Sequence, residues 1–199
     1  MCLVVVFCAN SINILAGVNG LEVGQTCVLS SAVLVHNLSR LAAAPGDARA
    51  EGAHLLSVSL VAPLLSVSLG LLALNWHPSR VFVGDTYTYF AGMALAVAGT
   101  LGHFLETLLL LFLPQLLNFA YSLPQLLRLV PCPRHRLPSL DAGTMRLAPS
   151  GDLNLVNGFL RWFGPCPEEQ LTVRLVGFQA ACAAGTFALR YALEGWWKF

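Results

Sequence analysis

Residues 54–74, "HLLSVSLVAPLLSVSLGLLAL", run for 21 residues without a Lys, Arg, Asp or Glu. At about 1.5 Å of rise per residue, a helix of that length covers the roughly 30 Å hydrocarbon core of a bilayer. A surface helix of a soluble domain would carry a charged face, and this stretch has none. It reads as a membrane-spanning helix. The whole chain agrees: 56% of its 199 residues are hydrophobic and 11% charged, with a mean hydropathy of +0.69. Soluble domains carry roughly 25% charged residues.

Outward from this segment, five others approach or exceed the length of a span: 1–16, 22–41, 86–102, 104–128 and 171–193. The first and fourth segments in chain order are short. The fold class expected is therefore all-α, a polytopic transmembrane bundle with about six membrane segments. The opening "MCLVVVFCAN" has no basic region before its apolar run and no convincing small-residue cleavage site, so it reads as a membrane helix and not as a signal peptide. The expected organisation is transmembrane helices over 1–128, a cytosolic loop region over 129–170, and a last helix with a tail over 171–199.

Charge orients the bundle. If loops 10–22, 75–86 and 129–170 share one side, that side carries Arg80, Arg128, Arg134, Arg136, Arg146 and Arg161. The other side carries Arg40, Arg49, Arg190 and Lys198. Six against four favours the cytosol for the three polar loops. The net charge of +1 offers no bulk attraction to nucleic acid. The six cysteines sit mostly in apolar runs and form no disulfide framework. Cys132 and His135 have C-x-x-H spacing and Cys166 could join them, but a structural zinc site takes four ligands and no second pair lies near. "NLS" at 37–39 has the form of a glycosylation sequon, yet it lies too near the membrane to be used.

Three polar clusters fall on the cytosolic side. "NSINILAGVNGLEVG", residues 10–24, holds Asn10, Asn13 and Asn19 with Gly17 and Gly20. Amides in a membrane segment must be hydrogen-bonded or ligating, and glycines let a ligand approach the backbone closely. The alternative is a pair of helix-packing asparagines and a turn. In "NWHPSRVFVGDT", Asp85 stands just before the next helix, as an N-cap or as a hard oxygen ligand for Mg²⁺. In "LVPCPRHRLPSLD", Arg134 and Arg136 flank His135 in a proline-stiffened frame suited to phosphate. A positive-inside anchor is the other reading. Together, a metal-type acid, amides and a basic trio at one membrane edge suit phosphoryl transfer.

Four motifs carry a resemblance: "NSINILAGVNGLEVGQ" (10–25), "NWHPSRVFVGDTYTYFAGM" (75–93), "FLPQLLNFAYSLPQLL" (112–127) and "PCPRHRLP" (131–138). In this order they resemble the polyprenyl-phosphate N-acetylhexosamine-1-phosphate transferases, in particular the eukaryotic, dolichyl-phosphate-using branch. The resemblance implies attack by a dolichyl-phosphate oxygen on the β-phosphorus of UDP-GlcNAc, with release of UMP and Mg²⁺ bridging the pyrophosphate. The product would be GlcNAc-diphosphodolichol, which begins the lipid-linked oligosaccharide for protein N-glycosylation. It further implies an endoplasmic reticulum membrane enzyme, active face to the cytosol, working as a homodimer.

By motif position, Asn13 and Asp85 resemble metal ligands. Asn19 resembles the residue that reads the uracil, with Gly17 and Phe82 packing the base. Arg134, His135 and Arg136 resemble the cluster holding diphosphate and sugar. The face of residues 6–14, with Phe7, Asn10 and Ile14, would lie along the lipid phosphate. Family members are longer at the N-terminus, where they carry further helices and an Asp-Asp motif, so the chain reads as the C-terminal portion of such an enzyme. "NSIN" stands where "NAIN" is commoner. Two rivals are a non-catalytic membrane partner of the full enzyme and a transporter. A transporter would place its polar groups near the membrane midplane rather than at one edge.

Overall fold

The computed structural model describes residues 2–43, 47–133, 136–141 and 143–193, without the side chain of residue 191. All six apolar segments form helices. They are α1 (Cys2–Ile14), α2 (Leu21–Ala43), α3 (Ala48–Asn75), α4 (Asp85–Leu101), the pair α5 (Leu105–Leu111) and α6 (Leu113–Leu126), and α8 (Glu168–Leu193). Segment 104–128 is thus two helices, bent by 65°. The bend has a local cause: Pro114 sits in the first turn of α6 and has no N–H to continue the ladder of α5. Pro63, inside α3, leaves that helix continuous over 28 residues.

Among the described residues, α3 and residues Glu168–Arg190 of α8 are long and apolar enough to cross a membrane on their own, and the α5–α6 pair makes a third as one bent span. The others rely on neighbours. Central α2 packs on α3 and α8 and also touches α1, α4 and α5. Surrounded by protein, it tolerates the buried polar residues Gln25, Thr26, Ser30, His36 and Asn37. Asn37 is fully buried, its amide N–H groups on the Val33 carbonyl (2.8 Å) and Ser57 hydroxyl (3.1 Å), so the sequon nitrogen is packed inside the bundle. Helices α1 and α4 touch backbone to backbone: a Cβ on Gly92 would collide with the Cys8 carbonyl. Small residues at such crossings let membrane helices approach closely. The molecule is a multi-pass α-helical membrane protein.

The polar stretch after α6 contains structure that the apolar-segment reading does not register. Strands β1 (Ser139–Asp141) and β2 (Arg146–Ala148) form an antiparallel hairpin. Its turn is held by Asp141, whose carboxylate accepts from the Thr144 hydroxyl (2.7 Å) and Gly143 N–H (3.0 Å) and is kept below the usual carboxylate range by those two donors. Helix α7 (Leu155–Phe163) follows, capped by Asn154, whose side chain accepts from the Asn157 N–H. Nine residues are too few for a span, yet Leu155, Val156, Phe159 and Leu160 are all buried. They join Leu15, Val18 and Leu21 with Leu171 and Leu175 of α8 in a second core. The main core lies among α1, α2, α4 and α5, with Val61 and Leu64 of α3 and Ala183 of α8.

Candidate active site at one end of the bundle

The C-terminus of α1, the N-terminus of α2, the C-terminus of α3 and the N-termini of α4 and α8 meet at one end. Asn13, in the last turn of α1, donates its amide nitrogen to the Asp85 carboxylate at 2.9 Å and to the Thr88 hydroxyl at 3.0 Å. Thr88 donates back to the Asp85 carbonyl at 2.9 Å. Asp85 is exposed and opens α4, but the N-cap is Gly84. The capping role is therefore taken by its neighbour, and the Asp85 carboxylate is directed to Asn13 instead. An aspartate in the first helical turn is favoured by the helix dipole.

Helix α1 ends among side-chain donors. Gln25 donates to the carbonyls of Ile12 (3.1 Å) and Leu15 (2.8 Å), and Asn118 to that of Ile14 (3.5 Å). These carbonyls have no helical partner, and leaving them unpaired inside the bundle would cost about 1–3 kcal/mol each. Gln115 links Gln25 (2.7 Å) to Gln179 of α8 (2.8 Å), so three buried glutamines tie α2, α6 and α8 beneath the site.

The following turn needs its glycines. Gly17 has φ +113° and Gly20 φ +81°, which L side chains rarely adopt. The Gly17 N–H donates to Glu22 (3.0 Å), the Asn19 N–H to Glu168 (2.8 Å) and the Gly20 N–H to Asn75 (2.9 Å). The Asn19 carbonyl accepts from Thr172 at 2.8 Å. Both of these Asn19 bonds use its backbone. Buried Asn75 also donates to the Val81 carbonyl at 3.0 Å. One side chain thus joins the turn carrying Asn19 to the loop carrying Phe82, which is 92% exposed.

The basic segment reaches the same turn. A Cβ on Gly17 would strike the side chain of Leu137, the residue after Arg136. The Arg136 carbonyl accepts from Asn157 (3.1 Å), Asn154 (3.2 Å) and Ser150 (3.5 Å), so α7 and its cap hold the chain exit from the Arg-His-Arg segment. The side chain of Arg136 is exposed; Arg134 and His135 lie outside the described residues. On α1, Asn10 bonds the Val6 carbonyl of its own helix (2.8 Å), Phe7 packs edge-on against Phe112 with ring centroids 6.2 Å apart, and Ile14 is 49% exposed.

Asn13 and Asp85 come together, and Gly17 comes against the neighbour of Arg136. Asn75, Gln25, Asn118, Asn157 and Glu168 also build this end and were not singled out from the sequence. For most of them the only signal was an isolated amide beside an apolar run. A small cavity of about 40 Å³ between Arg40, Leu41, Ala50, Glu51 and His54 lies at the opposite end of α2 and plays no part here.

A polytopic helical bundle with an Asn–Asp pair, a glycine turn and Arg136 gathered at one end has the features of a membrane transferase class. The family described as Glycosyl transferase family 4 matches residues 1–103, and the chain belongs to that family. Over 94% of its length it is 48% identical to the UDP-N-acetylglucosamine–dolichyl-phosphate N-acetylglucosaminephosphotransferase of Dictyostelium discoideum, covering 48% of that protein. The protein of the same name from Schizosaccharomyces pombe is 57% identical over 72% of this chain and 32% of its own length. That from Saccharomyces cerevisiae is 42% identical over 87% and 47%. The chain spans about half, or less, of the length of these relatives.

Proposed function

We propose that this chain carries part or all of a site that transfers GlcNAc-1-phosphate from UDP-GlcNAc to dolichyl phosphate. The observation that carries the reading is the contact between Asn13 and Asp85, from motifs far apart in sequence, at the end where the Asn19 turn and Arg136 also lie. A phosphate oxygen of dolichyl phosphate forms the new bond to the β-phosphorus. The bond from that phosphorus to the bridging oxygen breaks, and UMP leaves with the electron pair. The product is GlcNAc-diphosphodolichol. The proposed setting is the endoplasmic reticulum membrane, site toward the cytosol, in a homodimer.

The donor set of Asn13 and Asp85, one carboxylate and one amide oxygen, fits Mg²⁺, which takes hard oxygens and completes its shell with water and substrate phosphate. Among the described residues no group of three His, Cys, Asp or Glu could hold a metal. When bound, the ion would supply charge neutralisation at the diphosphate. The remaining work falls to the chain. Arg136, with Arg134 and His135, binds phosphate oxygens. Asn19 and the exposed ring of Phe82 receive the base, held at a fixed spacing by Asn75. Positioning and charge complementarity are the main catalytic terms in phosphoryl transfer.

The test is transfer of label from UDP-GlcNAc to dolichyl phosphate, in membranes containing only this chain, with and without Mg²⁺. Magnesium-dependent product supports the reading. A second reading is a non-catalytic membrane partner of a longer transferase. Under that reading no product forms with this chain alone, and co-expression changes the activity or amount of the longer enzyme.

A further inference from the structure

Helix α7 sits deeper than a cytosolic loop would. Two contacts with α8 act as rulers. The ring of Phe159 lies 5.5 Å from that of Phe178, and the Arg174 guanidinium lies over the ring of Phe163 at 5.6 Å. Arg174 is six residues and Phe178 ten residues into α8, about 9 and 15 Å along its axis. An independent contact agrees: the Leu155 N–H, at the start of α7, bonds the Asn118 side chain at 2.7 Å. Asn118 stands eight residues, about 12 Å, before the C-terminal end of α6. Helix α7 therefore lies alongside the ends of α6 and α8 and not above them.

Its chemistry is divided accordingly. Leu155, Val156, Phe159 and Leu160 face the protein. Trp162 and Phe163 face outward, 65% and 61% exposed. The one charge, Arg161, turns back toward the loop, donating to the carbonyls of Ser150 (3.0 Å) and Asp152 (3.2 Å) and to the Tyr121 hydroxyl (3.0 Å). Aromatic rings outward, with the cation drawn toward water, is the arrangement of residues at a membrane–water interface.

From this we infer that α7 is an in-plane helix seated in the headgroup and upper acyl layer, with Trp162 and Phe163 in contact with phospholipid. The occupant of this face is lipid because α7 packs along the first turns of α8, itself long and apolar enough to span, with Phe159 on Phe178 and Phe163 beneath the Arg174 guanidinium. The inference rests on α8 crossing the membrane and is independent of the transfer reaction. Within the stretch 129–170, the hairpin can stand in water while α7 is part of the membrane body.

The test uses tryptophan fluorescence of the full chain in phosphatidylcholine vesicles, comparing the wild-type chain with Trp162→Phe so that the difference isolates one of the four tryptophans. Trp162→Tyr serves for the same subtraction if Trp162→Phe fails to insert. Lipid brominated near the top of the acyl chain should quench the Trp162 component, and aqueous iodide should leave it unchanged. A Trp162 component quenched by iodide and indifferent to brominated lipid would overturn the inference. So would a component quenched by neither, since that would place the ring inside protein.

Discussion

The amide nitrogen of Asn13 and the carboxylate of Asp85 meet at 2.9 Å although 72 residues separate them. The contact needs α1 and α4 to lie in register, and Gly92 allows it by bringing the two backbones together. The pair joins two of the four motifs that carry the family resemblance, and it governs the predictions about chemistry.

Replacing Asp85 with Asn removes the carboxylate charge and leaves an amide oxygen that can still accept from Asn13. The residue is exposed and does not cap α4, so the fold should lose no more than the helix-dipole term of about 0.3–1 kcal/mol. Transfer should fall by about 100- to 1,000-fold, the range for removing one electrostatic stabiliser of a transition state. Assay and thermal melt on the same preparation check both halves.

Asn75→Ala should do the opposite, costing stability first. Asn75 is buried and bonds both the Gly20 N–H and the Val81 carbonyl. Leaving these unpaired should destabilise by about 1–3 kcal/mol. Freeing the Phe82 loop from the Asn19 turn should also raise KM for UDP-GlcNAc more than it lowers kcat, which steady-state kinetics would separate.

Two glycine-to-alanine variants should differ in sign. Gly17 has a positive φ and abuts Leu137, so Gly17→Ala should destabilise by at least about 1 kcal/mol. Gly70, inside α3 with open space where its Cβ would stand, should gain about 0.5–1 kcal/mol as Ala. Unfolding in detergent reads both.

On the proposed Mg²⁺ site, chelation should abolish transfer without unfolding the bundle, whose cores are apolar and need no metal. Activity should return with Mg²⁺, and the far-UV helix signal should be unchanged throughout.

Much of this was legible in the sequence because membranes impose simple rules. A run such as 54–74 without charge has few other folds available, and each apolar segment did form a helix. The bend within 104–128 was less visible, since Pro114 breaks a run whose hydropathy is continuous. Helix α7 was invisible to a search for spans: its nine residues are too few to cross a bilayer, and prolines surround it. In the site, Asn13 and Asp85 stood out as costly groups in apolar surroundings. Asn75 and Asn157 did not, because a supporting amide differs from an ordinary loop residue only in what it touches. The capping reading of Asp85 failed by one residue, since Gly84 adopts the extended cap conformation and passes Asp85 into the first turn.

Binding of Mn²⁺, a paramagnetic substitute for Mg²⁺, measured by electron paramagnetic resonance in the presence of UDP-GlcNAc, tests the central claim most directly. The account predicts that the wild-type chain binds the ion and that Asp85→Asn and Asn13→Ala each weaken binding at least about tenfold. Equal binding by wild type and both variants, or none by the wild type, would contradict it.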